Sequence, residues 1–374
     1  MSRKGENIYK RKDGRWEARY IINRTYDGKA IYKSIYAPSY SEVKKKRTNE
    51  LLKLAKINTV DSSNECTLES VSLLWFKNNS HKWKKSTQCR YRDKLRIYII
   101  PYLGKKKLSE IKTVEVEQFL SMIQTEGLPK SKPVGAGTAK SILSILKQIR
   151  IYALKSDYYV NFDLDSINIK LRKPAINVFS VMEEKTILAK LKEDLNETSL
   201  GIILCLFTGI RVGELCALKY DNVNINDGVI YIRKTMQRLP SIDSNSKTEI
   251  IIDSPKSESS IRDIPINKDI SKLLKAFYRP GAFVLTGDQN KFVEPKTMEN
   301  RFKRILKQCG IHPTGVHCCR HTFACRCIER GMDPKTLSEI LGHANASTTL
   351  NTYVHSNFKR KEDGINQLSD LLTV

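Results

Sequence analysis

Phe207-Thr208-Gly209-Ile210-Arg211-Val212-Gly213-Glu214-Leu215-Cys216-Ala217-Leu218 is the stretch on which the fold turns. Leu204, Phe207, Leu215 and Leu218 are spaced to pack this segment inward, which sets Arg211 and Glu214 in largely buried surroundings. A guanidinium there is costly unless it is paired or reserved for an anion. Glu214, three residues on, shares its helical face and can hold it. Taken alone, this reads as a structural Arg–Glu pair.

Further along come His317-Cys318-Cys319-Arg320-His321, then Leu341-Gly342-His343, then Tyr353. Arg-x-x-Glu, His-x-x-Arg-His, Leu-Gly-His and a tyrosine, in that order, resemble the active-site signature of tyrosine recombinases. The flanks are similar too: Thr208 to Leu215 is the family's context for its first arginine, and His321-Thr322-Phe323-Ala324 its sequel to the second. Lys256, Ser260, Arg262, Ile264 and Pro265 resemble the family's hairpin motif, with Lys256 between two predicted strands where the family places a catalytic lysine. One departure is Cys319, where the family usually has Leu before the arginine.

What the resemblance implies is strand exchange through a covalent intermediate. Tyr353 would attack phosphorus and release a 5′-hydroxyl, so that a 3′-phosphotyrosine conserves the bond energy without ATP, cofactor or metal. A phenol of pKa ~10 needs help with its proton and a strongly positive site. Arg211 and Arg320 would bond the non-bridging oxygens, Lys256 would protonate the leaving oxygen, and Glu214 would orient the first arginine. His317 fits a proton acceptor beside the phosphate, His343 a donor to a phosphate oxygen, and His321 a supporting residue. Alternatives on the same scaffold are a silent DNA-binding regulator and a type IB topoisomerase. A metal-dependent nuclease would want clustered carboxylates, and no convincing set is present.

Charge sets the partners. The 374 residues hold 65 Lys+Arg against 40 Asp+Glu, a net of +25 that points to nucleic acid. Residues 1–60 carry 16 basic and 6 acidic groups and residues 61–173 carry 21 and 11, so most of the excess precedes the motifs. Residues 8–36 read as a three-stranded sheet with hairpin signals at Asp13-Gly14 and Asp27-Gly28, followed by a helix that Ser39 and Glu42 cap, running to about Lys56. Trp16, Ala18, Tyr20 and Ile22 share one face of the middle strand, and Arg15, Glu17 and Arg19 the other. Arg15, Trp16, Arg19, Tyr20 and Lys33 are candidate DNA contacts there, since a β-ribbon fits the major groove. From Thr67 to about Tyr159 the pattern predicts four or five helices, in which Leu68, Val71, Leu74 and Trp75 recur at helical spacing. Lys82, Lys84, Lys85, Arg90, Lys105 and Lys106 suit phosphate contacts in that stretch.

The predicted architecture is multidomain and mainly α with β: a sheet-plus-helix module (1–57), a helical core-binding, SAM-like domain (66–163) and a mixed α+β catalytic domain (174–374). This order is similar to integrases of phages and conjugative transposons. The resemblance implies double-stranded DNA with core and arm sites, a homotetramer exchanging an apolar tail (Ile365, Leu368, Leu371, Leu372), an excisionase and a host DNA-bending protein. No run approaches the ~18 apolar residues of a membrane span, and no secretory signal opens the chain, so a reducing cytoplasm is expected. Cys318, Cys319, Cys325 and Cys327 cluster near Arg320 without finger or ribbon spacing and read as packing residues, not a zinc site.

Overall fold

The computed structural model describes residues 7–24, 30–58, 66–128, 132–171, 176–241, 248–255 and 257–353. The Asp27-Gly28 turn, Lys256 and the tail from Ile365 to Leu372 lie outside the described residues. The chain divides into two compact units, Met1–Arg172 and Lys173–Val374.

The first unit begins with an antiparallel sheet of β1 (Ile8–Lys10), β2 (Trp16–Arg24) and β3 (Ala30–Ala37), in that order. Strand alternation puts Ile8, Ala18 and Ala37 on one face, where Val43 of α1 (Tyr40–Asn58) covers them. Ser39 Oγ accepts the Glu42 N–H at 3.3 Å, so the cap stands where the sequence marks it. Trp16 packs edge-on against Tyr40, and Tyr20 is 3% exposed, its hydroxyl donating to Glu50 of α1. Of the two candidate DNA contacts on this face, Tyr20 is thus closed off beneath α1, whereas Trp16 is only half-buried against it. Arg19 stands on the open face beside Glu17 and Ser34, and Arg15 is exposed with its guanidinium over the Tyr36 ring. Lys33 pairs with Tyr20 in register and is exposed.

Five helices follow: α2 (Leu68–Asn79), α3 (Lys85–Lys94), α4 (Ile100–Leu103), α5 (Thr113–Thr125) and α6 (Ala136–Lys155). A π-helical turn, Leu95–Ile99, joins α3 to α4. Their core holds Leu68, Val71 and Trp75 with Ile142, Ile145, Leu146 and Ile149. Leu74 is exposed, one position off the buried stripe. Phe162 and Leu164, in the irregular chain after α6, close the same core.

The second unit opens with α7 (Val181–Glu193), α8 (Glu197–Thr208) and the short α9 (Val212–Ala217). Nine of the twelve residues of α8 are buried, which makes it the helix around which the others pack. Phe207 is the exception among the apolar residues expected inside; at the helix end it is 40% exposed. A three-stranded antiparallel sheet, β4 (Val223–Asn224), β5 (Val229–Ile232) and β8 (Arg262–Pro265), flanks a hairpin of β6 (Thr235–Pro240) and β7 (Thr248–Asp253). Then come α10 (Lys268–Ala276), α11 (Pro295–Gln308), α12 (His317–Glu329), α13 (Pro334–Leu341) and α14 (Ala346–Tyr353). No described helix is long and apolar enough to cross a membrane.

Candidate active site

Gly209 ends α8 in the left-handed region at φ +63°, and Arg211 takes the N-cap position of α9 two residues later. Glu214 folds back on it, its carboxylate accepting the Arg211 backbone N–H at 3.0 Å and the guanidinium at 2.7 Å. A second guanidinium comes from the head of β8. Arg262 donates to both Glu214 oxygens, at 3.1 and 2.8 Å, and is itself buried. Burial alone would raise the Glu214 pKa. The Arg262 hydrogen bonds and the charges of Arg262 and Arg211 outweigh it and hold the carboxyl below its usual range.

Three arginines meet the end of α13. Arg262 Nε donates to the Ile340 carbonyl at 2.5 Å, Arg320 to Leu341 at 2.6 Å, and Arg211 to Gly342 at 2.9 Å. The last carbonyls of a helix lack intrahelical donors and carry partial negative charge, so three successive ones form a row of acceptors for cations. Gly342 closes that helix at φ +64°, and a Cβ there would sit 2.9 Å from the Ser259 carbonyl and 3.0 Å from Arg262 Cδ. Gly342→Ala is therefore expected to lower stability by about 1–3 kcal/mol, from left-handed strain plus the displaced Arg262. A denaturation midpoint equal to that of the parent chain would refute this.

Arg320 projects from the first turn of α12 and is 1% exposed, with a further bond to the Gly209 carbonyl at 2.7 Å. Burial and the nearby Arg211 and Arg262 charges push its pKa down to about 9, which leaves it cationic at neutral pH. His317 and His321 follow the same turn, their rings edge to face at 4.6 Å. Burial, then neighbouring His321, Arg320 and Arg211, pushes the His317 pKa down to about 4. His343, in the α13–α14 turn, is likewise pushed to about 4 by burial and then by Arg320, Arg211 and Arg262; its Nδ1 lies 2.8 Å from Thr349 Oγ1. His321 is also lowered, by burial and Arg320. At neutral pH all three imidazoles are uncharged, fit to accept or donate single protons.

Tyr353 ends α14, 5% exposed, with its hydroxyl 2.7 Å from His321 Nδ1. Burial raises the phenol pKa more than Arg320 lowers it. Arg211, Glu214, His317, Arg320, His321, His343 and Tyr353 are thus drawn from four places in the second unit to one spot; Lys256 lies outside the described residues, between β7 and β8. Two features escaped the sequence reading: Arg262 as a second cation on the shared carboxylate, and the direct His321–Tyr353 bond. Arg262 was already named in the hairpin motif, and its inward alternation with Ile264 on β8 was a signal for the first.

Cys319 is fully buried, Cys318 lies 3.1 Å from the Asn177 carbonyl, and Cys325 and Cys327 pack beside the core of Ala324, Leu341 and Tyr353. Burial pushes the Cys318 and Cys327 thiols up to about 11, which keeps them protonated. Among the described residues no three His, Cys, Asp or Glu side chains gather as metal ligands. In the first unit Lys82, Lys84 and Lys85 stand at the α2–α3 turn, Arg90 lies over the Tyr91 ring, and Lys105 follows α4, exposed. Lys106 differs, because its ammonium is held by Glu115 at 2.6 Å.

Residues 178–360 match the model of the phage integrase family, and residues 67–123 match the phage integrase N-terminal SAM-like domain. A "tyrosine recombinase XerC-like" protein of Caldanaerobacter subterraneus is 27% identical over 94% of this chain and 94% of its own length. The ICEBs1 integrase of Bacillus subtilis is 22% identical over 74% of this chain and 75% of its own. Among solved structures, a Tn1549 transposon integrase in complex with transposon right end DNA aligns over 80% of this chain and 99% of that one, with TM-score 0.65 and 23% identity. A lambda integrase dimer bound to a core site aligns over 95% of this chain and 97% of that one, with TM-score 0.58 and 19% identity. At those identities the two structures speak for the fold.

Proposed function

Because the chain belongs to the phage integrase family of tyrosine recombinases, we propose that it is the site-specific integrase of a mobile genetic element, cleaving and rejoining DNA through a 3′-phosphotyrosine at Tyr353. The observation that carries this reading is the convergence of two guanidiniums, three neutral imidazoles and one buried phenol on a single spot. Arg211 and Arg320 neutralise charge on the phosphoryl oxygens as it builds, the task metal ions perform in other phosphoryl-transfer sites. His317 and His343 hydrogen-bond those oxygens or handle protons beside them, and Glu214 sets the first arginine. Lys256 is the acid for the leaving 5′-oxygen. Arg320 is almost wholly closed to solvent with Tyr353 seated, so a scissile phosphate reaches it only when covering groups move.

The domain assignments follow the same reading. Residues 1–57 form an arm-site module contacting DNA through Arg15, Arg19 and Lys33. Residues 66–163 form a core-binding domain using Lys82, Lys84, Lys85, Arg90 and Lys105, and residues 174–374 the catalytic domain. The protein works in the cytoplasm as a homotetramer on double-stranded DNA, its tail exchanged between protomers, with an excisionase and a host DNA-bending protein setting direction. The ICEBs1 and Tn1549 relatives favour a conjugative element as its source.

The test is a suicide-substrate assay with nicked duplexes carrying attachment sites from the ends of the element, resolved on denaturing gels without added metal. Wild type is expected to form a covalent protein–DNA adduct and Tyr353→Phe none, with DNA affinity retained. Tight binding with no adduct on any site would replace the recombinase by a silent binder. Relaxation of supercoiled plasmid without joining of two sites would favour the topoisomerase alternative.

A further inference from the structure

A nucleophilic phenol must lose a proton as its oxygen bonds to phosphorus, and the geometry points to the group that takes it. We propose that His321 is a catalytic residue, the general base that accepts the Tyr353 proton at Nδ1 during cleavage and returns it during religation. This rests on the recombinase reading above and adds a role that His317 was expected to fill.

The contact is direct, 2.7 Å between Nδ1 and the phenol oxygen, with Tyr353 only 5% exposed. A neutral imidazole accepting at Nδ1 carries its own proton on Nε2, so it enters the reaction as a base and leaves as an imidazolium. His317 offers a different contact: its ring meets His321 edge to face and backs it. The groups facing the pair are Arg320 and His317 on α12, Cys325 one turn on, Arg211 from the start of α9, and His343, whose ring is stacked on Tyr353 at 6.5 Å and 7°. Two of these are cations. Burial and then Arg320 disfavour a charged His321 at rest, while Arg320 and Arg211 both favour the phenolate character of Tyr353. The resting state therefore keeps a neutral pair. Transfer becomes downhill only as the O–P bond forms and the phenol acidifies.

The step balances. The Tyr353 O–H bond breaks, its proton goes to His321 Nδ1, the phenolic oxygen bonds phosphorus, and the 5′-oxygen departs with a proton from the general acid. Religation runs the same steps backwards, the imidazolium protonating the leaving phenolate. No oxidant, reductant or further reactant is needed.

Single-turnover adduct formation on the suicide substrate tests the role, with wild type, His321→Ala and His321→Asn compared across pH. The asparagine keeps a hydrogen-bond acceptor near the phenol but cannot take its proton. Both variants are expected to bind DNA as wild type does and to cleave about a hundredfold or more slower. The wild-type rate should rise with pH only below about 6.5, the ordinary histidine value from which His321 is lowered, and then level off. The variants should keep rising through neutrality and beyond. Added imidazole should restore part of the His321→Ala rate. Wild-type speed in either variant, or a slow variant with an unchanged pH profile and no imidazole rescue, would overturn the assignment and leave His321 as a positioning residue. A wild type that binds DNA and forms no adduct would instead remove the recombinase reading itself.

Discussion

Glu214→Ala is expected to destabilise the second unit by about 3–5 kcal/mol, the penalty for leaving a buried cation without its counter-charge. The carboxylate is 3% exposed and holds Arg211 and the buried Arg262 together, so its removal strands one guanidinium inside and releases another. For a unit of this size the melting temperature should drop by roughly 10 °C, read by calorimetry. Glu214→Leu combined with Arg262→Met should regain part of the loss, because the pair is removed and not merely broken. The acid limb offers an independent check. A carboxyl held below its ordinary value of 4.5 adds stability that is complete above that pH and disappears as pH falls through the lower folded value. Glu214→Gln should flatten that part of the profile. A drop under about 1 kcal/mol would class the trio with surface ion pairs and refute the account.

Arg320→Lys tests charge against shape. The ammonium keeps the positive charge but cannot reach the Gly209 and Leu341 carbonyls, at 2.7 and 2.6 Å from the guanidinium, and still face a phosphate. Cleavage should slow about 10²–10³-fold, the range for losing one well-placed donor to a developing charge. DNA affinity should barely change, since the total remains +25. Quench-flow of adduct formation beside a binding titration separates the two. A lysine variant that cleaves at wild-type speed would mean that Arg320 acts through charge alone.

The fold class was legible because its signals are local. The Ser39–Glu42 cap, the α6 stripe of Ile142, Ile145, Leu146 and Ile149, and the strand start at Val229 with the strand end at Pro265 each depend on neighbours within a few residues. The misreadings have local causes too. Tyr20 carries a polar edge that suits DNA as well as a core, and only the helix laid over it decides. Glu17 looked like part of an open charged face, yet Ser34, Arg19 and Arg11 donate to it and enclose it at 2% exposure. Phe207 keeps helical phase with Leu204, but the helix ends one residue later and the ring turns outward. In the site, the arginines, the histidines and the tyrosine could be named from motif order. Their partners could not. Arg262 meets Glu214 across 48 residues and His321 meets Tyr353 across 32, and one sequence holds no record of such distant pairs.

The row of carbonyls at Ile340, Leu341 and Gly342 has an evolutionary consequence. Every residue type carries a backbone carbonyl, so the acceptors that aim three guanidiniums cannot be lost merely by changing a side chain. Drift can rewrite the outer surface of α13 while leaving the charge array in register. The exception is the glycine that lets the helix end there, and selection should act on its missing side chain more strictly than on either neighbour.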